Sequence, residues 1–405
     1  MTISLERISP SAADRPVADG QDYQAIAAEV AQTLAQTVQA REAQAGVPVD
    51  EIQCLRQSGL LPLIVPQKYG GLGATWPQAM AVVKTLAESD SSAAQLYGYH
   101  LLLSATPQVS GNAAQAERYY RETAADQLFW ANAINVRDLR LTLEPDGSQF
   151  RASGVKSFCT GAVVADRIIC AAMQAGNPWP VLFVLPRERP GLTYNHDWDA
   201  LGQRRTASGS FTFEHVLVMP EEILGPPTRP EGAFATFLGV IGMAALTYTL
   251  LGIAAGALQA AQGYTRSQTR PWLTAGVDQA SQDPYILRRY GDLWGQLQGA
   301  IATADQATAQ MQQAWEQGDD LTHSQRGEVA IAVATAKTLA TQVGLTITSD
   351  MFELMGARAT ANIYGFDRYW RNLRTLTLHD PTDYKLRDLG DWVLNGQPPI
   401  ASPYA

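Results

Sequence analysis

At 405 residues the chain exceeds the usual size of one domain, and two or three domains sharing a large apolar core are expected. Its net charge of -9 argues against a nucleic-acid binder, which would carry a basic patch over much of its surface. Three cysteines, Cys54, Cys159 and Cys170, with no CxxC pair, speak against a disulfide framework or a cysteine zinc site, and fit a reducing compartment.

The start, MTISLERISPSAADRP, lacks the basic and apolar regions of a signal peptide, so a cytoplasmic location is expected, and residues 1–18 read as a loose arm. From Asp22 to Gln44, Ile26, Val30, Leu34 and Val38 recur at helical spacing and predict one amphipathic helix. A short helix over Val49–Gln57 stops at Gly59, and a Pro- and Gly-rich loop leads to Thr75-x-x-Gln78, a capping box with Pro77 in the first turn. Helices follow to Ser89, over Ser91–Ala105 and over Arg118–Asp126. Beyond Leu128 the pattern changes to short β-rich runs with Asp-Gly and Pro-Gly turns, which indicate a small antiparallel barrel or sandwich. From Pro230 the chain is helical again, with long helices over Phe234–Ser267, Pro284–Glu316 and Gly327–Leu354. No charge occurs between Glu231 and Arg266. That run is long enough to span a bilayer, but Gly, Ala and Thr dilute it, and a helix buried inside a bundle or oligomer core fits better.

Gly70-Gly71-Leu72-Gly73 follows no β-strand and is a turn rather than a dinucleotide fingerprint. The five histidines are scattered, so no metal site is expected, and no GxSxG elbow is present. Between Phe352 and Pro381, Arg358, Arg368, Arg371 and Arg374 alternate with Tyr364, Phe366, Tyr369 and Trp370, and the stretch ends in His379-Asp380. Such a mixture suits a bound aromatic anion, for instance a phosphorylated ring cofactor, or equally a solvated arginine face with helix caps. The alternatives left are a cofactor-dependent enzyme and a non-catalytic helical scaffold.

Several motifs coincide in order and spacing with a known family. PQKYGGLGATW, Thr160-Gly161-Ala162 followed by Ala165-Asp166, and GQRRTASGSFTFEHVLV with EEILG resemble the acyl-CoA dehydrogenase superfamily along nearly the full chain. LYGYH at 96–100, Asn132, FCTGA at 158–162, YTRSQTRPW at 264–272, GARAT at 356–360 and WRNLRTLTLHDP at 370–381 are similar to its flavin-dependent monooxygenase branch, typified by dibenzothiophene monooxygenase. The resemblance implies a mostly α, α+β fold. Its parts would be an N-terminal helical domain (19–126), a central antiparallel β-barrel (127–229) and a C-terminal four-helix bundle carrying the flavin segment (230–405). The family is commonly tetrameric, so a homotetramer is expected.

The same resemblance implies roles for individual residues. Arg270 would bind the flavin phosphate, from a neighbouring subunit, and Arg358 would lie near the flavin. Phe158 and Thr160 belong to the turn that holds the isoalloxazine edge, Thr160 near N5, and Trp198 would wall the ring. Tyr99, Asn132 and His379 are the candidates for chemistry, with Asp380 orienting His379. Gln95 stands where the dibenzothiophene enzyme has a histidine, a departure that puts identical substrate preference in doubt. Dehydrogenases of the superfamily place a catalytic Glu near the position of Thr377; Arg374–Leu378 holds no carboxylate, and threonine is no base near neutral pH. Glu231, Glu328 and Glu353 remain as relocated bases.

The implied function is the oxygenase component of a two-component flavin monooxygenase. It would use FMNH2 and O2 through a C4a-hydroperoxyflavin to oxygenate a sulfur or nitrogen centre of a small apolar substrate. A separate NAD(P)H:flavin reductase would supply FMNH2, since no nicotinamide fingerprint is present. The alternative is an FAD-dependent acyl-CoA dehydrogenase.

Overall fold

The computed structural model describes residues 22–225 and 232–402. The predicted arm at 1–18 and Glu231 lie outside the described residues.

The first third forms six helices: α1 (Tyr23–Ala35), α2 (Val38–Gln44), α3 (Val49–Ser58), α4 (Trp76–Ser89), α5 (Ser91–Ser110) and α6 (Ala113–Asp126). The capping box at Thr75 and Gln78 opens α4 with both of its reciprocal bonds. The single helix expected over Asp22–Gln44 is two. Although the apolar spacing runs on to Val38, the Arg41 guanidinium turns back and donates at 2.8 Å to the Leu34 carbonyl, which also accepts from Thr37 N–H at the end of α1. Arg41 also pairs with Glu51 and, at 2.7 Å, with Asp90 at the start of α5. Glu51, fully buried, accepts a bidentate pair from Arg205 at 2.8 and 2.9 Å.

The middle third is β1 (Trp130–Ala133), β2 (Thr142–Asp146), β3 (Gln149–Lys156), β4 (Arg167–Ala172), β5 (Val181–Pro186), β6 (Leu192–Tyr194), β7 (Phe211–Val218) and β8 (Ile223–Leu224). These strands form two four-stranded sheets, ordered β1-β4-β5-β8 and β2-β3-β7-β6. The expected closed antiparallel barrel is corrected on two counts. Among the described residues a bridge between Thr142 and Met173 joins the sheets at one corner, and no ladder closes them elsewhere. In addition, β1 pairs with β4 in parallel. Parallel neighbours need a long crossover, here the whole β2–β3 excursion, so local turn signals do not reveal the pairing. The β4 run Ile168–Ala172 is buried at every position, as a strand covered on both faces must be.

The last third contains α7 (Leu238–Ser267), α8 (Pro284–Gln317), α9 (His323–Met355), α10 (Asp367–Thr377) and α11 (Thr382–Asn395). The bundle is α7, α8 and α9 with α10 and α11 as a broken fourth member. At its centre, α7 packs on α4, α5, α8, α9 and α10. A Cβ on Gly252 or Gly256 would lie 2.4 Å from the Lys84 carbonyl or 2.0 Å from that of Glu88, so glycine at both positions lets the α4 backbone rest directly on α7. Both α7 and α9 are long and apolar enough to cross a membrane by length and composition, yet 78% of the most apolar window of α7 is buried within the protein. Helix packing therefore accounts for its lack of charge.

Candidate flavin and oxygenation site

The turn after β3 is held open in an unusual shape. Phe158 has φ +56° and Gly161 φ +72°, both left-handed. Backbone bonds from Cys159 to the Gly209 carbonyl (2.9 Å) and from Gly161 to that of Thr206 (3.0 Å) stitch the turn to the 202–209 loop. The Phe158 ring is 61% exposed and meets Trp198 edge-on, with centroids 6.2 Å apart. Trp198 Nε1 donates to the Gln203 carbonyl at 2.9 Å.

Beneath the ring pair runs a chain of buried hydroxyls whose direction is set by its last member. Thr206 Oγ1 donates to the Gln203 carbonyl at 2.9 Å, an oxygen that only accepts. Ser208 must then donate to Thr206 (2.7 Å), and Thr160 to Ser208 (2.8 Å). The single Thr160 proton is thereby committed inward, and the hydroxyl offers only lone pairs to a partner outside the network.

Other candidate residues lie on elements that border this turn. Leu96 of α5 lies where a Cβ on Gly161 would meet its Cδ2 at 2.7 Å. Tyr99, three residues further along α5, is half-buried against the apolar clusters. Asn132 sits half-buried on β1, which packs on α5 and on the 162–164 turn. His100, beside Tyr99, is fully buried: Nε2 bonds the Leu61 carbonyl at 2.7 Å and Nδ1 accepts from Trp130 N–H at 3.0 Å. From the bundle, α10 reaches the same loop, where Asn372 Oδ1 accepts from Gln203 N–H at 2.7 Å.

Four predicted residues, His379, Asp380, Arg358 and Arg270, sit on other elements. His379 follows α10, with Asp380 buried behind it among Lys337 and Lys385. Arg358 Nη2 donates to the Gln268 carbonyl, two residues before Arg270, so these two arginines share one end of α7 and α9. No hydrogen bond, ion pair or ring contact among the described residues joins either of them to the 158–161 turn. Arg368 lies over the Tyr369 ring at 4.2 Å, and Arg371 ties α10 to the Leu201 carbonyl at 3.0 Å, so both brace the helix. Thr377 is buried and bonded to the Arg374 carbonyl at 2.8 Å, while Glu328 and Glu353 face outward. No group of acids, histidines and cysteines suited to a metal occurs among the described residues.

Gln203, Thr206, Ser208 and Asn372 had no role assigned from sequence. All four lie inside quoted motifs, but nothing local shows that one loop bonds α5, α10 and the 158–161 turn together.

The donor set fits a flavin. An exposed aromatic face on a left-handed turn, a second ring at its edge and a hydroxyl acceptor beneath suit the rim of an isoalloxazine. Two family models match the chain, "Acyl-CoA dehydrogenase, N-terminal domain" over residues 20–127 and "Acyl-CoA dehydrogenase, C-terminal domain" over residues 244–384. The chain belongs to the acyl-CoA dehydrogenase family. Within this family it is 40% identical to a probable FMNH2-dependent monooxygenase, SfnC of Pseudomonas putida, over 94% of the chain and 97% of that protein. It superimposes on methanesulfinate monooxygenase MsuC from Pseudomonas fluorescens with a TM-score of 0.93 at 40% identity, covering 95% of this chain and all (100%) of MsuC. The FMN-bound dibenzothiophene monooxygenase TdsC from Paenibacillus sp. A11-2 gives 0.91 at 38% identity, covering 95% and 100%.

Proposed function

We propose that this member of the acyl-CoA dehydrogenase family is the oxygenase component of a two-component system, an FMNH2-dependent monooxygenase acting on a sulfur or nitrogen centre of a small, largely apolar molecule. The observation that carries the reading is the direction of the Thr160–Ser208–Thr206 chain. A hydroxyl that only accepts complements N5 of reduced flavin, which bears a proton, better than N5 of the oxidised ring, which does not. Bound reduced FMN supplies two electrons with which O2 is split, one atom going to the substrate heteroatom and the other leaving as water.

The chain's own residues provide the setting. Phe158 and Trp198 wall the ring, and Thr160 receives the N5 proton's hydrogen bond. Tyr99 and Asn132 face the reactants from α5 and β1. His379, positioned by Asp380, exchanges a proton with the oxygen that departs. Arg270 takes the phosphate, and Arg358 lies near the flavin. Because Arg270 stands beside exposed Trp272 (72%) and Leu273 (94%), self-association is supported, and with it delivery of Arg270 to the flavin of a neighbouring copy in a homotetramer. FMNH2 comes from a separate NAD(P)H:flavin reductase, and three unpaired cysteines suit a reducing, cytoplasmic setting. The lack of a carboxylate at Thr377, with Glu328 and Glu353 facing outward, weighs against the dehydrogenase alternative.

The test mixes purified protein with FMNH2 from an added reductase, O2 and dibenzothiophene, and measures oxygenated product against hydrogen peroxide. Coupled product is expected, with peroxide dominating in His379→Ala while FMN affinity is kept. Purification with tight FAD that is bleached by an acyl-CoA would overturn the reading in favour of a dehydrogenase, and no flavin binding in any redox state would leave a scaffold.

A further inference from the structure

His379 stands between α10 and α11 with a partly exposed ring, and a cluster of buried charge lies behind it. Asp380 is 7% exposed, Lys337 of α9 4% and Lys385 of α11 5%. One carboxylate oxygen, Asp380 Oδ1, meets both the Lys337 ammonium and, at 3.2 Å, Nδ1 of the His379 ring. Oδ2 lies 3.6 Å from Lys385 Nζ and accepts no hydrogen bond among the described residues.

The charges in this cluster do not balance. One carboxylate faces two ammonium groups, and it is the one carboxylate that Lys337 contacts among the described residues. Burial, and then Lys385, push the Lys337 ammonium down to about 7, while its contact with Asp380 acts in the opposite direction. Burial also lowers Lys385; Asp388 of α11 opposes this, and Arg326 of α9 and Arg387 of α11 reinforce it. An imidazolium at His379 would be a third cation on an oxygen that Lys337 already occupies, repelled by both lysines. The neutral ring instead gives Asp380 an uncharged N–H from Nδ1 and keeps the lone pair on Nε2. An aspartate without those lysines would act the other way, because an unshared carboxylate favours the imidazolium.

We propose that Lys337 is a positioning residue for oxygenation, acting through Asp380 to keep His379 a neutral ring whose Nε2 accepts a hydrogen bond and donates none. For its effect on the reaction the assignment rests on the monooxygenase reading above. Asp380 fixes the tautomer, and Lys337 cancels the charge by which Asp380 would otherwise turn the ring into a cation. The same carboxylate thus orients the imidazole without raising its basicity.

The experiment follows the titration of His379 by NMR in the full chain carrying isotope-labelled histidine, with His379→Ala identifying its signals. Wild type is expected to show the Nδ1–H tautomer, neutral at pH 7. Lys337→Gln keeps a hydrogen-bond donor for Asp380 but removes the charge, and should raise the midpoint by about one pH unit or more. Lys385→Gln, whose ammonium stands farther from the carboxylate, should raise it by less, and it carries the test if the Lys337 variant does not fold. The ratio of oxygenated product to hydrogen peroxide is then measured with FMNH2, O2 and dibenzothiophene between about pH 6 and about pH 8. It should hold level in wild type and fall in Lys337→Gln as pH drops through the raised midpoint, where the ring gains its proton. A lysine with a structural role alone would lower stability or rate at every pH and leave the midpoint in place. A wild-type ring charged at pH 7, a midpoint unmoved in the variants that fold, or a product ratio that does not follow a moved midpoint overturns the assignment. A moved midpoint with no product from wild type would instead sink the monooxygenase reading and leave Lys337 in control of the ring.

Discussion

Nδ1 of His379 lies 3.2 Å from Oδ1 of Asp380, and because a carboxylate only accepts, the ring proton is held on Nδ1 and Nε2 carries the lone pair. Asp380 is itself gripped by Lys337 at the same oxygen and by Lys385 at 3.6 Å from the other. Burial first, then the two ammonium groups, push the His379 pKa down to about 4. The adjoining carboxylate and the 38% exposure of the ring act in the opposite direction, and the geometry supports a ring that is neutral at pH 7.

Asp380→Asn leaves Lys337 buried against an uncharged amide. Removing one partner of a buried ion pair costs about 3–5 kcal/mol, so urea unfolding should show a large loss of stability. His379→Ala, which removes a partly exposed ring, should lose less than about 1 kcal/mol. Equal losses in the two variants would show that Asp380 is not the counter-charge on which Lys337 depends.

His100 gives the fold a defined acid sensitivity. Burial pushes its pKa from 6.5 down to about 4, against the opposing hydrogen bond to the Leu61 carbonyl. The folded state therefore resists a proton that the unfolded chain accepts. The stability associated with this group is fully present above pH 6.5 and is lost as pH falls toward 4, at about 1.4 kcal/mol per pH unit. His100→Gln, whose amide accepts at one end and donates at the other, should flatten the stability profile in that window by one proton. An unchanged slope would contradict the assignment.

Phe158 combines a left-handed backbone with an exposed ring. Phe158→Gly relieves the backbone and removes the aromatic face. Thermal stability should hold or rise, a gain of up to about 1 kcal/mol, while FMN affinity measured by fluorescence titration should fall about 10-fold. Retained affinity would remove Phe158 from the flavin wall.

Arg270→Ala should leave the melting temperature within error, since Arg270 is exposed. Loss of a charge-assisted phosphate contact, about 1.5–3 kcal/mol, should weaken FMN binding roughly 10- to 100-fold and leave riboflavin binding unaffected. Equal weakening of both ligands would place Arg270 away from the phosphate.

Local signals in the sequence were reliable where the structure is local. The Thr75–Gln78 box opens α4, Gly59 ends α3 with φ +75°, and the uncharged run around Leu250 is the buried centre of the bundle. The misses involve partners far apart in the chain. Arg41 breaks the first helix only because Glu51, Asp90 and the Leu34 carbonyl draw its guanidinium, and β1 finds β4 across an intervening hairpin. Phe158, Thr160 and Trp198 were found through resemblance, and their spatial company through none of the local rules. Gln203 makes its bonds to Ser91 and Gln95 across more than 100 positions, and only the folded chain shows that a loop glutamine fixes the direction of an amide on α5.

Glu51 also bears on how far the N-terminal helices can stand alone. Residues 20–127 are matched as one module, yet Glu51 within them takes its bidentate partner from Arg205, and Glu42 takes Asn372 of α10 at 3.1 Å. A fragment ending at residue 127 would carry both acids stripped of those partners, and α4 would lose the glycine face of α7 on which it lies. The matched segment therefore draws the partners of its buried acids from the rest of the chain, from Arg205 and Asn372.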